Sequence, residues 1–317
     1  MKKISFVIPC YRSSKTIKKV VDEIDEVLKA KKEYDYEVVV VNDYSPDNTW
    51  EVLTEIAKSN KKVKAVNLAK NMNRPGAVMA GLNLSDGDYI VMMDDDGQCP
   101  MDRLWDLVNE LEAGHDVAMA KYSEYKQSLF KSFGTWFNRK TTEIIMEKPK
   151  GLDFTNFIIM KEYVKDEIIK YHNPYPYFTG LILRTTQDIV NVQMEERERL
   201  AGSTNFTFKK MVSLWMNGFT AFSIKPLRLA TIIGAISSVG GFIYGLVIIF
   251  QQIFSGFSMS AGYSSIMAIM LFIGGVIMLM LGMIGEYLGR VYISLNNAPQ
   301  FVIKETINIK GKNDKEK

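Results

Sequence analysis

Tyr89-Ile90-Val91-Met92-Met93-Asp94-Asp95-Asp96-Gly97-Gln98-Cys99-Pro100 runs from a wholly apolar segment straight into three consecutive carboxylates. The apolar half reads as a buried strand, since strands covered on both faces are continuous hydrophobic runs. Three adjacent Asp repel one another, and a divalent cation that prefers hard oxygen ligands, Mg²⁺ or Mn²⁺, relieves that repulsion. Carboxylates at the carboxyl end of a strand in an open α/β sheet stand where such folds bind ligands. The alternative is a solvated acidic turn ahead of a helix, with Pro100 near its first position and Asp102 in its first turn. This stretch alone leaves both readings open.

Upstream, the pattern repeats. Ile4-Ser5-Phe6-Val7-Ile8 is a β-type run ended by Pro9-Cys10-Tyr11-Arg12, followed by a helix with Ile17, Val20, Val21, Ile24, Val27 and Leu28 on one face. Glu37-Val38-Val39-Val40-Val41 reads as a central parallel strand, and it too ends in polar residues, Asn42-Asp43-Tyr44-Ser45-Pro46-Asp47-Asn48-Thr49. A helix over 49 to about 58, a strand over 63–68, the turn Asn71-Met72-Asn73-Arg74-Pro75-Gly76 and a helix over about 77–84 lead back to the Asp94 strand. Strand–helix alternation of this kind predicts an α/β, doubly wound, mostly parallel sheet. Two carboxylate-bearing strand ends, at Asp43 and at Asp94 to Asp96, then converge on one crevice. Acid groups with a metal suit a nucleotide diphosphate.

The totals narrow the class. The chain has 317 residues and a formal net charge of +3, too balanced to argue for nucleic acid. Its mean hydropathy near zero conceals a segregated chain: no charged residue occurs from Leu229 to Gly285. Cys10 and Cys99 both fall in the crevice segments and read as reduced thiols. His115 and His172 stand alone, which excludes a zinc cluster and a His-based triad. The apolar run after Lys2 and Lys3 breaks at Pro9, too soon for a signal peptide, so the head is expected to begin in the cytoplasm.

Residues 229 to about 250 and 264 to about 284 are each long enough to span a bilayer, which takes about 20 apolar residues. The link over 251–263 carries no charge, whereas Lys225, Arg228, Arg290 and the lysines of the tail lie outside the other ends. The positive-inside rule then places head and tail in the cytoplasm and makes the protein a two-span resident of the cytoplasmic membrane. Gly241-x-x-x-Gly245 and Gly285-x-x-x-Gly289 permit close helix packing and hint at a homo-oligomer. Two further segments, 127–146 and 206–222, pair aromatics with Lys and Arg; they read either as core-facing helices or as helices lying in the headgroup plane, the second favoured by their nearness to the spans. The expected organisation is a catalytic domain over 1–205, an interfacial segment over 206–228, a two-helix membrane region over 229–289 and a cytoplasmic tail over 290–317.

Several landmarks together carry a family resemblance. Val7-Ile8-Pro9-Cys10-Tyr11, Asn42-Asp43-Tyr44-Ser45-Pro46-Asp47-Asn48-Thr49 and Asp94-Asp95-Asp96-Gly97-Gln98 resemble the ordered motifs of family 2 glycosyltransferases, which have a GT-A-like fold. Gly151-Leu152-Asp153-Phe154, Arg199-Leu200-Ala201-Gly202-Ser203-Thr204-Asn205-Phe206, Lys225-Pro226-Leu227-Arg228 and Gly285-Glu286-Tyr287-Leu288-Gly289-Arg290 narrow the resemblance to the polyprenyl-phosphate sugar transferases. That group includes dolichol-phosphate-mannose synthase and bacterial undecaprenyl-phosphate glycosyltransferases.

The resemblance implies inverting, metal-dependent transfer of a sugar from a nucleotide-sugar, taken as a UDP-sugar, to a polyprenyl phosphate, for cell-envelope glycan modification. It assigns Asp94 and Asp96 to Mg²⁺ or Mn²⁺, Asp96, Gln98 and Asp153 to catalysis, and Pro9, Tyr11, Asp43, Asn71, Asp94 and Asp95 to the donor. Arg199, Lys121, Lys131 and Ser203 fall to the acceptor phosphate. Asp153 is either a base, a sugar-positioning group or a helix cap. Asn42 and Tyr44 depart from the family's usual Asp and Gly or Asn. Lys121 and Lys131 stand where Arg is frequent, which keeps the charge and loses the bidentate fork. The rival readings are a processive polysaccharide synthase, a transferase onto a glycerolipid, and a non-catalytic scaffold; the first lacks its Gln-x-x-Arg-Trp segment here, and the intact Asp cluster weighs against the last.

Overall fold

The computed structural model describes residues 1–122, 143, 148–149, 151–174, 176–200, 225–255, 263–296 and 298–309. Lys131, Ser203, the 206–222 segment and nearly all of the 127–146 segment lie outside the described residues.

Four strands form the centre: β1 (Lys2–Cys10), β2 (Tyr34–Asn42), β3 (Val63–Leu68) and β4 (Tyr89–Met92). β1 pairs in parallel with β2 and β4, and β2 with β3. Between them run α1 (Ile17–Lys29), α2 (Thr49–Ser59) and α3 (Asn73–Leu84). After β4 come a 3₁₀ turn (Met101–Arg103), α4 (Leu104–Glu112), β5 (Val117–Tyr122), β6 (Ile158–Lys161), α5 (Glu162–Ile169), α6 (Phe178–Thr185) and β7 (Ile189–Met194). With β8 (Ile303–Ile307), the order across the sheet is β7-β5-β6-β4-β1-β2-β3-β8, β6 and β8 being antiparallel to their neighbours. The expected α/β, mostly parallel, doubly wound sheet is thus present.

Strand alternation divides the core. Ile4, Phe6 and Ile8 of β1, with Val38 and Val40 of β2, face α1, α2 and α4. Val7 points the other way and meets Val78, Met79 and Leu82 of α3. Helix α3 lies close on the sheet because Gly81 has no side chain; a Cβ there would collide with Val7 Cγ1. This helix opens at Asn73, earlier than the expected start near Ala77. Pro75 and Gly76 look like breakers in sequence, but proline costs nothing in a first turn, where its missing N–H has no partner to lose.

The sheet contains a strand that the sequence pattern leaves in the tail. β8 pairs antiparallel with β3, and Asn308 Nδ2 pins its end by donating to Ala57 O at 2.5 Å and Val63 O at 2.8 Å. Between the head and β8 run two long helices, α7 (Lys225–Ser255) and α8 (Tyr263–Leu295). Large apolar side chains stand exposed along both, among them Ile236, Phe242, Phe254, Phe272 and Met278. Among the described residues, one stretch, Phe272–Leu295, is long and apolar enough to cross a membrane, and Ala230–Tyr244 is a shorter apolar run. The far end of α8 is tied back to the head: Ser294 Oγ donates to Asn173 Oδ1 at 2.5 Å, and Gln300 Nε2 to the carbonyls of Tyr171 and Asn173 at 2.6 Å each.

Candidate active site

β1 lies between β4 and β2, and the chain winds to opposite sides of it, so the strand order reverses there. Ligands of open α/β sheets bind in the crevice that such a reversal opens. The polar ends of β1, β2 and β4 all reach this edge. Strands two apart are separated by about 10 Å, so the Asp43 and Asp94–Asp96 turns flank one hollow across β1.

Asp43 is buried at the end of β2, and Met72 N–H donates to its Oδ1 at 2.6 Å. Burial pushes its carboxyl above the usual range against the pull of the Met72 and Asn73 N–H groups. Asn71 Nδ2 donates to the Asp43 carbonyl at 3.0 Å, which fastens the start of α3 to the same turn. Pro9 is buried near the end of β1, whereas Tyr11 and Tyr44 are exposed beside Asp43. Tyr44 has φ +52°, a left-handed conformation rare for a bulky residue and found mostly at functional turns.

The three consecutive Asp have separate surroundings. Asp94 accepts from Arg74 Nε at 2.7 Å on one oxygen and from Asn156 Nδ2 at 2.6 Å on the other. Asp95 is bonded by Ser13 Oγ, and burial pushes its carboxyl up to about 6. Asp96 accepts from Gln98 N–H at 3.1 Å, while its second oxygen lies 3.4 Å from Arg199 Nε. Arg199 Nε also donates to Gln98 Oε1 at 2.7 Å. Gly97, at φ +77°, makes this turn, and a Cβ on it would come within 2.5 Å of Leu200 Cδ1.

The segment after β7 is laid across that turn by backbone bonds. Arg197 N–H donates to Gln98 O at 3.1 Å and Leu200 N–H to Asp96 O at 3.0 Å. Arg197 itself is clamped by Glu23 and Asp102. On the other flank, Asp153 pairs with Lys121 Nζ at 3.1 Å, and its backbone N–H donates to Asn191 Oδ1 at 2.7 Å.

Asp94 and Asp96 carry the hard oxygen donors that a divalent cation takes. Among the described residues no three His, Cys, Asp or Glu side chains form a complete cage, which suits an ion that takes the rest of its shell from phosphate and water. One donor is open beside them: Arg74 Nη2 is buried and has no hydrogen-bond partner.

The structure therefore brings Asp43, Asn71, Asp94, Asp95, Asp96, Gln98 and Arg199 to one edge, with Pro9 on β1, Tyr11 just past its end and the Lys121–Asp153 pair beside them. Arg74, Asn156 and Arg197 were not singled out from the sequence. Arg74 sits in the quoted Asn71–Gly76 turn, and an Arg beside an acid-rich crevice was the available signal. Asn156 and Arg197 had none, because their partners are distant in the chain.

Residues 5–168 match the model described as Glycosyl transferase family 2. The chain belongs to glycosyl transferase family 2. This family 2 enzyme also matches the model of the GtrB C-terminal hairpin over residues 225–291, the span of α7 and most of α8. It is 31% identical over 307 residues to the prophage bactoprenol glucosyl transferase homolog of Escherichia coli (strain K12), covering 95% of this chain and 98% of that one. Among solved structures, mannosyl-3-phosphoglycerate synthase from Rubrobacter xylanophilus superposes with a TM-score of 0.52 at 14% identity, over 72% of this chain and 74% of that one. Glucosyl-3-phosphoglycerate synthase from Mycobacterium tuberculosis, in complex with Mn²⁺ and UDP-glucose, gives 0.50 at 18% identity, over 69% and 77%. At these identities the likeness is one of fold, and it makes the sheet of this glycosyl transferase GT-A-like.

Proposed function

We propose that this glycosyl transferase moves a sugar from a nucleotide-sugar, a UDP-sugar, to a polyprenyl phosphate at the cytoplasmic face of the membrane. The observation that carries the reading is the meeting of Asp96, Gln98 and Arg199 at the strand-order reversal of a chain that continues into an exposed apolar helical hairpin. The bactoprenol named in the Escherichia coli relative is a polyprenol, which supports the acceptor class. The Mn²⁺ and UDP-glucose of the mycobacterial fold neighbour support the donor and cofactor classes.

In the reaction, an oxygen of the acceptor phosphate attacks the anomeric carbon from the face opposite the nucleotide. The bond from that carbon to the diphosphate oxygen breaks, its electron pair leaves with the nucleoside diphosphate, and configuration inverts. The acceptor oxygen is already anionic, so no strong base is required. Asp96, with help from Asp94, would hold Mg²⁺ or Mn²⁺, whose positive charge would neutralise the leaving diphosphate, and Gln98 orients the donor. Arg74 holds Asp94 and has a free N–H for a diphosphate oxygen. Asp43, with Asn71, Asp95, Pro9 and Tyr11 around it, receives the nucleoside. Arg199 and Lys121 serve the acceptor phosphate, as do Lys131 and Ser203, and Asp153 orients the sugar from its pair with Lys121.

The hairpin is read as two membrane spans. β8 follows the hairpin and pairs with β3, so the chain returns to the head it left. A segment that leaves one side of a bilayer and returns to it crosses an even number of times. Head and C-terminal strand then share the cytoplasmic side, and homo-oligomers would form through the glycine-bearing helix faces.

The test uses the purified full chain with a polyprenyl phosphate, Mn²⁺ or Mg²⁺ and a panel of UDP- and GDP-sugars. A lipid phosphate bearing one sugar is the expected product. No lipid-linked product with any donor, or a long glycan chain, would overturn the reading.

A further inference from the structure

We propose that Glu305, on the strand that follows the helical hairpin, is a positioning residue for the nucleotide turn Asn42-Asp43-Tyr44-Ser45 and acts through Asn67 and Asn42. The inference rests on the reading of that turn as part of the donor site.

Three hydrogen bonds connect the edge of the sheet to the turn. Asn67 Nδ2 donates to Glu305 Oε1 at 2.8 Å. Asn42 Nδ2 donates to Asn67 Oδ1 at 2.9 Å. Ser45 N–H donates to Asn42 Oδ1 at 3.3 Å. Asn42 and Asn67 are only 2% and 7% exposed, so the bond between them is shielded from water.

The direction of these bonds is set from both ends: the Ser45 N–H can only donate, and the carboxylate of Glu305 can only accept. A side-chain amide is nearly symmetrical in shape and can present either its oxygen or its nitrogen to a neighbour. An ionised carboxylate only accepts. Glu305 therefore makes Asn67 turn its nitrogen outward, which turns the Asn67 oxygen towards Asn42. Asn42 must answer with its own nitrogen, and its oxygen is left for the Ser45 N–H. The carboxylate on β8 and the Ser45 N–H thus hold the two buried amides in one sense between them.

The last amide holds the turn that carries Asp43 and the left-handed Tyr44. Ser45 also accepts, on Oγ, from Arg12 N–H at 2.6 Å, so the turn and the end of β1 move together. With the relay reversed, the Asn42 nitrogen would face the Ser45 N–H, donor against donor, and the turn would open. β8 is anchored independently by Asn308, which keeps the strand in place when Glu305 is changed.

The test is calorimetric titration of the detergent-solubilised full chain with UDP in Mn²⁺, with melting temperature measured alongside. Glu305→Ala and Asn67→Leu should each weaken UDP binding about tenfold, the worth of one lost buried hydrogen bond. Glu305→Gln should stay within about twofold of wild type, because its amide oxygen still accepts from Asn67. Asn67→Asp combined with Glu305→Gln should also stay within about twofold, since the glutamine nitrogen then donates to an aspartate that still accepts from Asn42. Unchanged UDP affinity in Glu305→Ala and Asn67→Leu, with or without a fall in melting temperature, marks a contact that only holds the strand and overturns the relay. Failure of the wild-type chain to bind UDP or GDP overturns the donor-site reading itself, and the relay with it.

Discussion

Both ends of the parallel strands carry acids, but they balance them differently. At the amino ends, Glu37 is 3% exposed and compensated in charge: Ser5 Oγ donates to it at 2.7 Å, Asp86 N–H at 3.0 Å, and Lys3 and Lys64 Nζ each lie 2.7 Å from its second oxygen. Lys3 and Lys64 reach Asp86 as well. At the carboxyl ends, among the described residues around the Asp94–Asp96 turn, Arg74 meets Asp94 and Arg199 approaches Asp96, while Asp95 has only the Ser13 hydroxyl. An acid that serves the fold brings its own cations, because an uncompensated buried charge costs several kcal/mol. The acids at the other end are short of positive charge, and that shortage is what a metal–diphosphate ligand can fill.

The sharpest way to break this contrast is to remove one charge at each end. Asp96→Asn should cut kcat about a thousandfold, the loss of a metal-borne contribution of several kcal/mol, with the melting temperature nearly unchanged; steady-state turnover and thermal unfolding check both halves. Equal turnover would mean that the carboxyl-end acids are structural after all. Glu37→Gln should do the reverse. It leaves Lys3 and Lys64 with Asp86 alone, costing about 1–2 kcal/mol in urea unfolding, less than for a fully buried pair because both lysines are partly exposed, and should leave kcat/KM per folded molecule alone. A smaller effect sharpens the comparison further. Arg74→Ala should raise the donor KM about tenfold, and Arg74→Lys should recover only part of it, since a single ammonium cannot both hold Asp94 and present a second N–H.

The centre of the fold was legible because its strands are unbroken apolar runs that end abruptly in polar turns. Val38-Val39-Val40-Val41 could be little else than a buried strand, and the Asp after it and after Met93 marked the crevice. β8 was not legible: Ile303-Lys304-Glu305-Thr306-Ile307 is short and carries charge, as edge strands do, and its partner lies far away in sequence. Pro75 and Gly76 masked the start of α3, because punctuating residues look the same in a loop and in a first helical turn. Of the site, the residue types were visible and their pairings were not. Nothing local joins Arg74 to Asp94 or Asn156 to the same carboxylate; only the winding of the sheet brings them together.

The late strand also governs how the molecule is made. Asn67 and its partner Glu305 are 238 positions apart. At the usual pace of ribosomal synthesis the second emerges on the order of 10–50 s after the first. Throughout that interval β3 presents a naked edge, the kind of surface that recruits strands from other chains. A nascent chain that stalls before its hairpin is delivered would keep that edge open and be prone to aggregate. Closing the sheet last makes completion of the helical hairpin a condition for a sealed, protease-resistant head.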